Sequence, residues 1–250
     1  MSKDISLSKY IAQAGVCARR KATELIKDGL VKVGGVITVN PAYRVAPKDI
    51  VVYQNRALVP SQHIYVILNK PRHVITTVSD EQGRRTVLDL LPGHIKRRVY
   101  PVGRLDKDTS GLLLLTNDGI LAQYMAHPRY KVQKTYHVTL DRVISEGLLE
   151  RIRLGIRLSD GMVRIDEIRY LSPDNHAALH IVLCSGRNRV IKRLFEQLGF
   201  WVKRLNRPYY AGLSTKGLAH GEWRYCTDRE ISALKKASGK RATCGNLTGL

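Results

Sequence analysis

Cysteine is scarce in this 250-residue chain, and its four copies (Cys17, Cys184, Cys226, Cys244) stand far apart with no paired spacing. That pattern supports neither a disulfide framework nor a zinc site. Long apolar runs are missing as well. The longest, such as Ile64–Leu68 and Leu112–Leu115, cover four or five residues, where a membrane span needs roughly 20. The opening Met1-Ser2-Lys3-Asp4 lacks a charged stretch followed by an apolar one. No signal peptide is therefore expected, no membrane partner is implied, and the cytoplasm is the default location. There is no Walker loop, no glycine-rich dinucleotide fingerprint and no His-Glu-x-x-His. The eight histidines are scattered. Any chemistry must rest on carboxylates, phenols and guanidiniums. Acid is the last shortage: 21 Asp and Glu face 42 Lys and Arg, a net charge of +21. Solubility does not call for so lopsided a balance. A polyanion, nucleic acid first, is the partner it implies.

What is present reads as two globular pieces. The 44% apolar content fits a sizeable core. Near the start, Ser6 can cap a helix with Leu7, Tyr10, Ile11 and Ala14 on one face, ended by Gly15. A second helix spans about 18–27 and stops at Gly29. Two extended runs then flank Gly34-Gly35, a hairpin signal. Another short strand is expected over 49–53. The stretches "LSKYIAQAGVCARRKATELIKDGLVKVGG" and "PKDIVVY" make this unit resemble the S4 RNA-binding domain. The resemblance implies RNA contacts from the second helix and the hairpin, hence from Arg19, Arg20, Lys21 and Lys32. Residues 1–56 form this unit, and 57–62, with Pro60 and no periodicity, read as a linker.

From 63 to 237 strands and helices mix without strict alternation. Ile64–Leu68 reads as a buried strand, and 132–140 and 179–183 alternate. Asp118, Ser145 and Asn188 are candidate caps for helices over 119–126, 146–154 and 189–198. Thr227 with Glu230 forms a capping box for a last helix. The expected class is α+β, a largely antiparallel mixed sheet flanked by helices. Residues 238–250, small and polar, read as a frayed tail.

The densest segment is "PVGRLDKDTSGLLLLTNDG", 101–119. Asp106 stands among Arg104, Lys107 and Asp108, with glycines at 103 and 111 and an apolar strand behind it. Neighbouring cations would keep it ionised, as a nucleophile or base requires. Spacing alone favours an acid-rich surface turn over a reactive site. Residues 184–210 hold seven bases (Arg187, Arg189, Lys192, Arg193, Lys203, Arg204, Arg207) against one acid, Glu196. Trp201, Tyr209 and Tyr210 lie among them, a mixture suited to phosphate binding and base stacking.

"GRLDKDTSGLLLLTNDG" at 103–119 is similar to the signature of the RsuA/RluB branch of pseudouridine synthases. "LNKPR", "GRRTVLDLLP", "HPRYKVQKTYHV" and "SGRNRVIKRLFEQLG" follow the family's order. The resemblance covers about 5–232. It implies an isomerase that converts a uridine of ribosomal RNA, of the large (23S) subunit with 16S as the alternative, to its C-glycoside. It implies a monomer with no metal and no cofactor. Asp106 would be the catalytic aspartate, attacking the ribose C1′ or the uracil ring. Tyr136 would pack against the base, and Lys192, or Arg193 if the register slips, would pair with the aspartate. Arg104 would fill the gap left by the flipped base, and Arg187, Arg189 and Arg193 would meet RNA. A non-catalytic RNA-binding or ribosome-assembly factor is the competing reading. Two positions depart from the family pattern: Val190 replaces a glutamine and His73 a glycine. A basic protein of this kind should lose RNA affinity by at least about tenfold between roughly 50 and 200 mM salt. Filter binding across that range checks it, and a flat affinity contradicts it.

Overall fold

A computed structural model describes residues 5–96 and 98–239. The chain divides into two compact units between His63 and Ile64. In the first, helices α1 (Leu7–Gln13) and α2 (Arg19–Lys27) pack beside a four-stranded antiparallel sheet. Its strands are β1 (Val31–Val33), β2 (Val36–Ile37), β3 (Val51–Tyr53) and β4 (Arg56–Ala57). Gly34 and Gly35 turn the first hairpin at φ of +58° and +85°, where side chains with a Cβ are disfavoured. Leu7, Ile11, Ala22, Ile26, Val31 and Val51 close the core at no exposure.

The stretch expected to be a linker is more structured than its composition suggests. Gln54 and Asn55, both with positive φ, turn a second hairpin from β3 into β4. The Tyr10 hydroxyl donates to the carbonyl of Leu58, and the Ser61 amide donates to that of Gln13. Proline and the lack of periodicity hid these contacts, because they are single hydrogen bonds to the first helix and not a repeating pattern.

The second unit is built on a nine-stranded mixed sheet. Its main strands are β5 (Tyr65–Lys70), β6 (Ser110–Thr116), β7 (Lys134–Leu140), β8 (Glu167–Ser172), β9 (Asn175–Leu183), β10 (Val202–Tyr210) and β11 (Trp223–Tyr225). They run in the order β8-β9-β7-β10-β6-β5-β11. Along this order only the β10–β6 pair is parallel, through Asn206 opposite Ser110 and Arg207 opposite Gly111. The helices are α3 (Gly119–Ala126), α4 (Glu146–Leu154), α5 (Val190–Gln197) and α6 (Asp228–Gly239).

The four leucines after the acidic loop are fully enclosed and serve two cores. Leu112 and Leu114 face Leu121 and Met125 of α3 and Leu234 of α6. Leu113 and Leu115 face Val87, Leu88 and Ile95. A strand sends alternate side chains to opposite faces, so a continuous apolar run is what a strand covered on both sides requires. The third core sets α4 and α5 against β7, β9 and β10.

Asp118 caps α3 as expected, accepting from the amides of Ile120 and Leu121. Thr227 and Glu230 exchange bonds at the start of α6. Two expectations need correction. Asn188 does not cap α5; Arg189 takes that position in the left-handed region at φ +46°. The last helix also continues through Ser238 and Gly239, which had read as tail. Residues 240–250 lie outside the described residues. Among the described residues no helix is long and apolar enough to cross a membrane.

Gly111 is where the parallel pair closes most tightly. It has φ +111°, and a Cβ there would lie 2.4 to 2.7 Å from backbone atoms of Arg207. Gly111→Ala should therefore destabilise the protein by about 3 kcal/mol or more. Gly186→Ala, with open space around it, is the control and should be near neutral. Urea unfolding of both variants checks this, and a Gly111→Ala protein as stable as wild type contradicts it.

Candidate active site

Asp106 sits on a loop with no regular structure, yet the loop is tied on both sides. Before it, the buried Leu105 exchanges bonds with the Thr76 hydroxyl: its carbonyl accepts at 2.8 Å and its amide donates at 3.3 Å. After it, the Thr109 amide donates back to the Asp106 carbonyl at 3.1 Å, closing a turn. The Lys107 carbonyl accepts from the His73 amide at 2.7 Å. His73 holds φ +66°, which explains why a glycine suits that place.

Beneath the loop lies Lys70, with no exposure. Its ammonium donates to the carbonyls of Thr109 (2.8 Å), Pro71 (2.9 Å) and Lys107 (3.4 Å). Burial pulls its pKa down to about 8, against the opposing pull of Asp108 and Asp106.

Lys192 is brought to the same loop by α5. It lies on the polar side of that helix yet is buried there. Its side chain is 9% exposed, 2.6 Å from Asp108 and 3.4 Å from Asp106. Periodicity marks which side of a helix is polar, but not that acids from a distant loop cover that side. Burial alone would raise the Asp108 carboxyl, but the hydrogen bond and charge of Lys192 outweigh it and hold the group below its usual range. Asp108 is thus the nearer partner of Lys192, a role the sequence did not signal. Arg193 points elsewhere, pairing with Asp160 at 2.9 Å.

Asp106 and Tyr136 line one cavity of about 140 Å³. Arg104, Arg187 and Arg189, all exposed, stand around it, while Leu205 and Ile191 supply apolar wall. The Val190 side chain, where a glutamine is the family habit, also lines it and is buried in the α5 core. Arg187 donates to the carbonyl of Gly161 and faces Asp160 at 3.6 Å. Lys134 also lines the cavity and was not picked out from sequence, while Arg207 and Tyr210, named there only within the basic and aromatic stretch 184–210, line it too. Alternation could have found Lys134 and Arg207, since they fall two residues from Tyr136 and Leu205 on their strands. Of the aromatic residues in 184–210, Trp201 and Tyr209 are exposed, but Tyr210 is buried and donates to the Met125 carbonyl. In the first unit Arg19, Arg20, Lys21 and Lys32 are all exposed, with Lys21 paired to Glu24. Among the described residues no group of three or more His, Cys, Asp or Glu is arranged to hold a metal ion.

A buried lysine shared by two loop carboxylates, next to a tyrosine-lined cavity on a mixed sheet, matches a known class. The family model described as RNA pseudouridylate synthase matches residues 64–197, and the S4 domain model matches 6–51. The chain belongs to the RNA pseudouridylate synthase family, isomerases that act on RNA. Among curated relatives, "Ribosomal large subunit pseudouridine synthase B" of Bacillus subtilis (strain 168) is 39% identical over 241 residues, 94% of this chain and 98% of the relative. An "Uncharacterized RNA pseudouridine synthase" of Aquifex aeolicus (strain VF5) is 38% identical over 94% of this chain and 96% of its own. A solved structure described as "Crystal structure of pseudouridylate synthase" aligns with a TM-score of 0.67 at 27% identity, covering 92% of this chain and 99% of its own.

The charge cluster gives a stability prediction with a sign. Asp108 has a depressed folded-state pKa, so its pairing stabilises above its unfolded value, about 3.9, and is lost as pH falls through the lowered value. Asp108 is half exposed, so Asp108→Asn should cost only about 1 kcal/mol at neutral pH. That difference should vanish near pH 2. Lys192→Met should cost more, about 2 to 3 kcal/mol, because it leaves two carboxylates without their shared cation. Urea unfolding at several pH values tests the order, and a Lys192→Met variant milder than Asp108→Asn overturns it.

Proposed function

We propose that this protein isomerises a uridine of large-subunit ribosomal RNA, with Asp106 as the attacking carboxylate. The observation that carries the proposal is the shared cavity of Asp106 and Tyr136, with Lys192 3.4 Å from the aspartate. The ammonium 3.4 Å from Asp106 sets positive charge beside the carboxylate that would attack C1′ or the uracil ring. The tethered loop fixes the carboxylate, so little ordering is left to the reaction itself. A base within a helix cannot reach such a cavity unless it leaves its stack. Arg104, exposed beside Asp106, is suited to fill the gap, while Tyr136 lies against the base. Arg187 and Arg189 would meet phosphates at the cavity mouth, with Arg193 behind them held by Asp160. In the first unit Arg19, Arg20, Lys21 and Lys32 would add contacts to RNA outside the target. The large-subunit preference rests on the name carried by the Bacillus subtilis relative, which aligns over nearly its whole length.

The test uses 23S and 16S rRNA transcripts carrying tritium at uridine C5. Wild type should release tritium from 23S alone, and Asp106→Asn should release none while binding RNA normally. Release from 16S alone reassigns the subunit. Binding without release from either makes the protein a non-catalytic RNA-binding factor. Full activity of Asp106→Asn removes that residue from its role.

A further inference from the structure

Arg207 and Lys134 line the same cavity as Asp106, and the carboxylate chemistry does not use them. Arg207 is 3% exposed. Its Nε and Nη2 donate to the carbonyl of Leu112 at 3.1 and 2.8 Å, and its guanidinium lies 4.5 Å from the centre of the Tyr210 ring. A guanidinium carries five N–H groups, so most of its donors remain uncommitted. Lys134 donates to the carbonyls of Val132 (2.8 Å) and Cys184 (3.4 Å). Neither cation forms an ion pair with any Asp or Glu among the described residues. Asp166 is the one carboxylate that biases Lys134, and it does so at a distance. A buried guanidinium and a partly buried ammonium without an acid partner are costly to keep from water. A fold that keeps both beside a cavity is arranged for an anion that arrives in it.

The anion could be a phosphate or the base. Phosphates have exposed arginines at the mouth. Arg207 and the partly buried Lys134 lie instead with Tyr136, Tyr210 and Leu205, the apolar walls a nucleobase would occupy. Resting on the isomerase reading above, we propose that Arg207 and Lys134 form a cationic floor that stabilises the uracil as it departs with negative charge. When the C1′–N1 bond breaks, its electron pair stays with the base and spreads over N1, O2 and O4. In the sugar route an Asp106 oxygen bonds C1′ as that bond breaks. After the ring turns, C5 bonds C1′, and the ester bond breaks with its pair returning to the carboxylate. C5 then loses its proton and N1 gains one, so atoms and charge balance. A route through attack on the ring also places charge on the base oxygens. Donors aimed at charge that develops only during reaction act on rate more than on binding. Burial and the Arg207 charge draw the Lys134 pKa down to about 8, which still leaves it largely protonated at neutral pH. The Gly111–Arg207 backbone approach fixes the guanidinium relative to the Asp106 loop.

Fluorine at C5 makes the base a better leaving group, so it should lower the need for the floor. Single-turnover rates are measured on a 23S rRNA transcript made with uridine and on one made with 5-fluorouridine, following loss of the parent nucleoside after digestion. Lys134→Gln and Arg207→Gln should slow uridine rearrangement about 100-fold, with RNA affinity within about twofold of wild type. On the fluorinated RNA the loss should shrink to about tenfold, and Lys134→Arg should recover most of the rate. Arg207→Gln also loses bonds to Leu112, so its unfolding midpoint is measured alongside, and Lys134→Gln stands as the independent variant. Equal slowing on both RNAs, or a defect in affinity alone, overturns the floor but leaves the isomerase intact. A wild-type protein that rearranges neither RNA overturns both.

Discussion

Lys70 stands at the end of β5 with its ammonium enclosed, donating to carbonyls on both sides of the base of the Asp106 loop. Everything distinctive about the site depends on that placement. Backbone carbonyls in a loop are normally satisfied by water. Here the carbonyl of Thr109, next to β6, and those of Pro71 and Lys107 converge on one buried charge, which makes the bonds stronger than neutral ones. Because Lys70 is also paired with Gly111 across the sheet, the ammonium links the strand that enters the site to the strand that leaves it. Asp106 is held by a chord pinned at Leu105, Lys107 and Thr109, and its freedom is that of a side chain, not of a loop.

The pinning transmits to the rest of the unit through β6. Its leucines are divided between two cores, so a shift of the strand would disturb both faces at once. Its first residues pair in parallel with β10, and at Gly111 the backbones approach too closely for any side chain. That contact brings Arg207, and with it the deepest part of the cavity, into fixed relation to Asp106. On the opposite wall α5 delivers Lys192. Two carboxylates and two buried ammoniums, Asp106, Asp108, Lys70 and Lys192, then balance within one loop. Asp106 is not clamped by this arrangement, since the tighter bond of Lys192 goes to Asp108.

Much of this was legible from the chain. The leucine run, the Asp118 cap, the Thr227–Glu230 box and the Gly34-Gly35 turn carry their signals locally, in spacing and residue type, and the α+β class follows from their order. The expectation that Asp106 is more than a turn residue came from similarity, because an isolated acid among bases has no periodicity to read. Lys192 was expected beside the aspartate and lies 3.4 Å from it, but its nearer partner is Asp108, 84 residues earlier, which no helix repeat could signal. Lys70 and Lys134 drew no attention, and Arg207 was named only as one base of a basic stretch. Each is a cation at a strand position that patterning assigns to an apolar face, and in a chain with 42 Lys and Arg one more base does not stand out. The informative sign was burial against pattern, a charge two residues from Leu205 or Tyr136 on the same side of a strand.

The basic residues around the cavity fall into two sets that act through different physics. Arg104, Arg187 and Arg189 at the mouth are exposed, so water and salt screen them, and on the proposed reading their contribution is to capture and register of the polyanion. Lys70, Lys192 and Arg207 are enclosed and Lys134 is partly so, where screening is weak and a unit charge acts strongly over a few ångströms. Net charge alone would treat the two sets as one. Their separation by depth means that the field felt by an incoming RNA and the field felt by its displaced base are set by different residues. Affinity for RNA and the rate of rearrangement can therefore change independently in this protein. A surface substitution that weakens binding need not touch the chemistry, and a single enclosed cation can govern the rate while leaving the bulk attraction to RNA as it was.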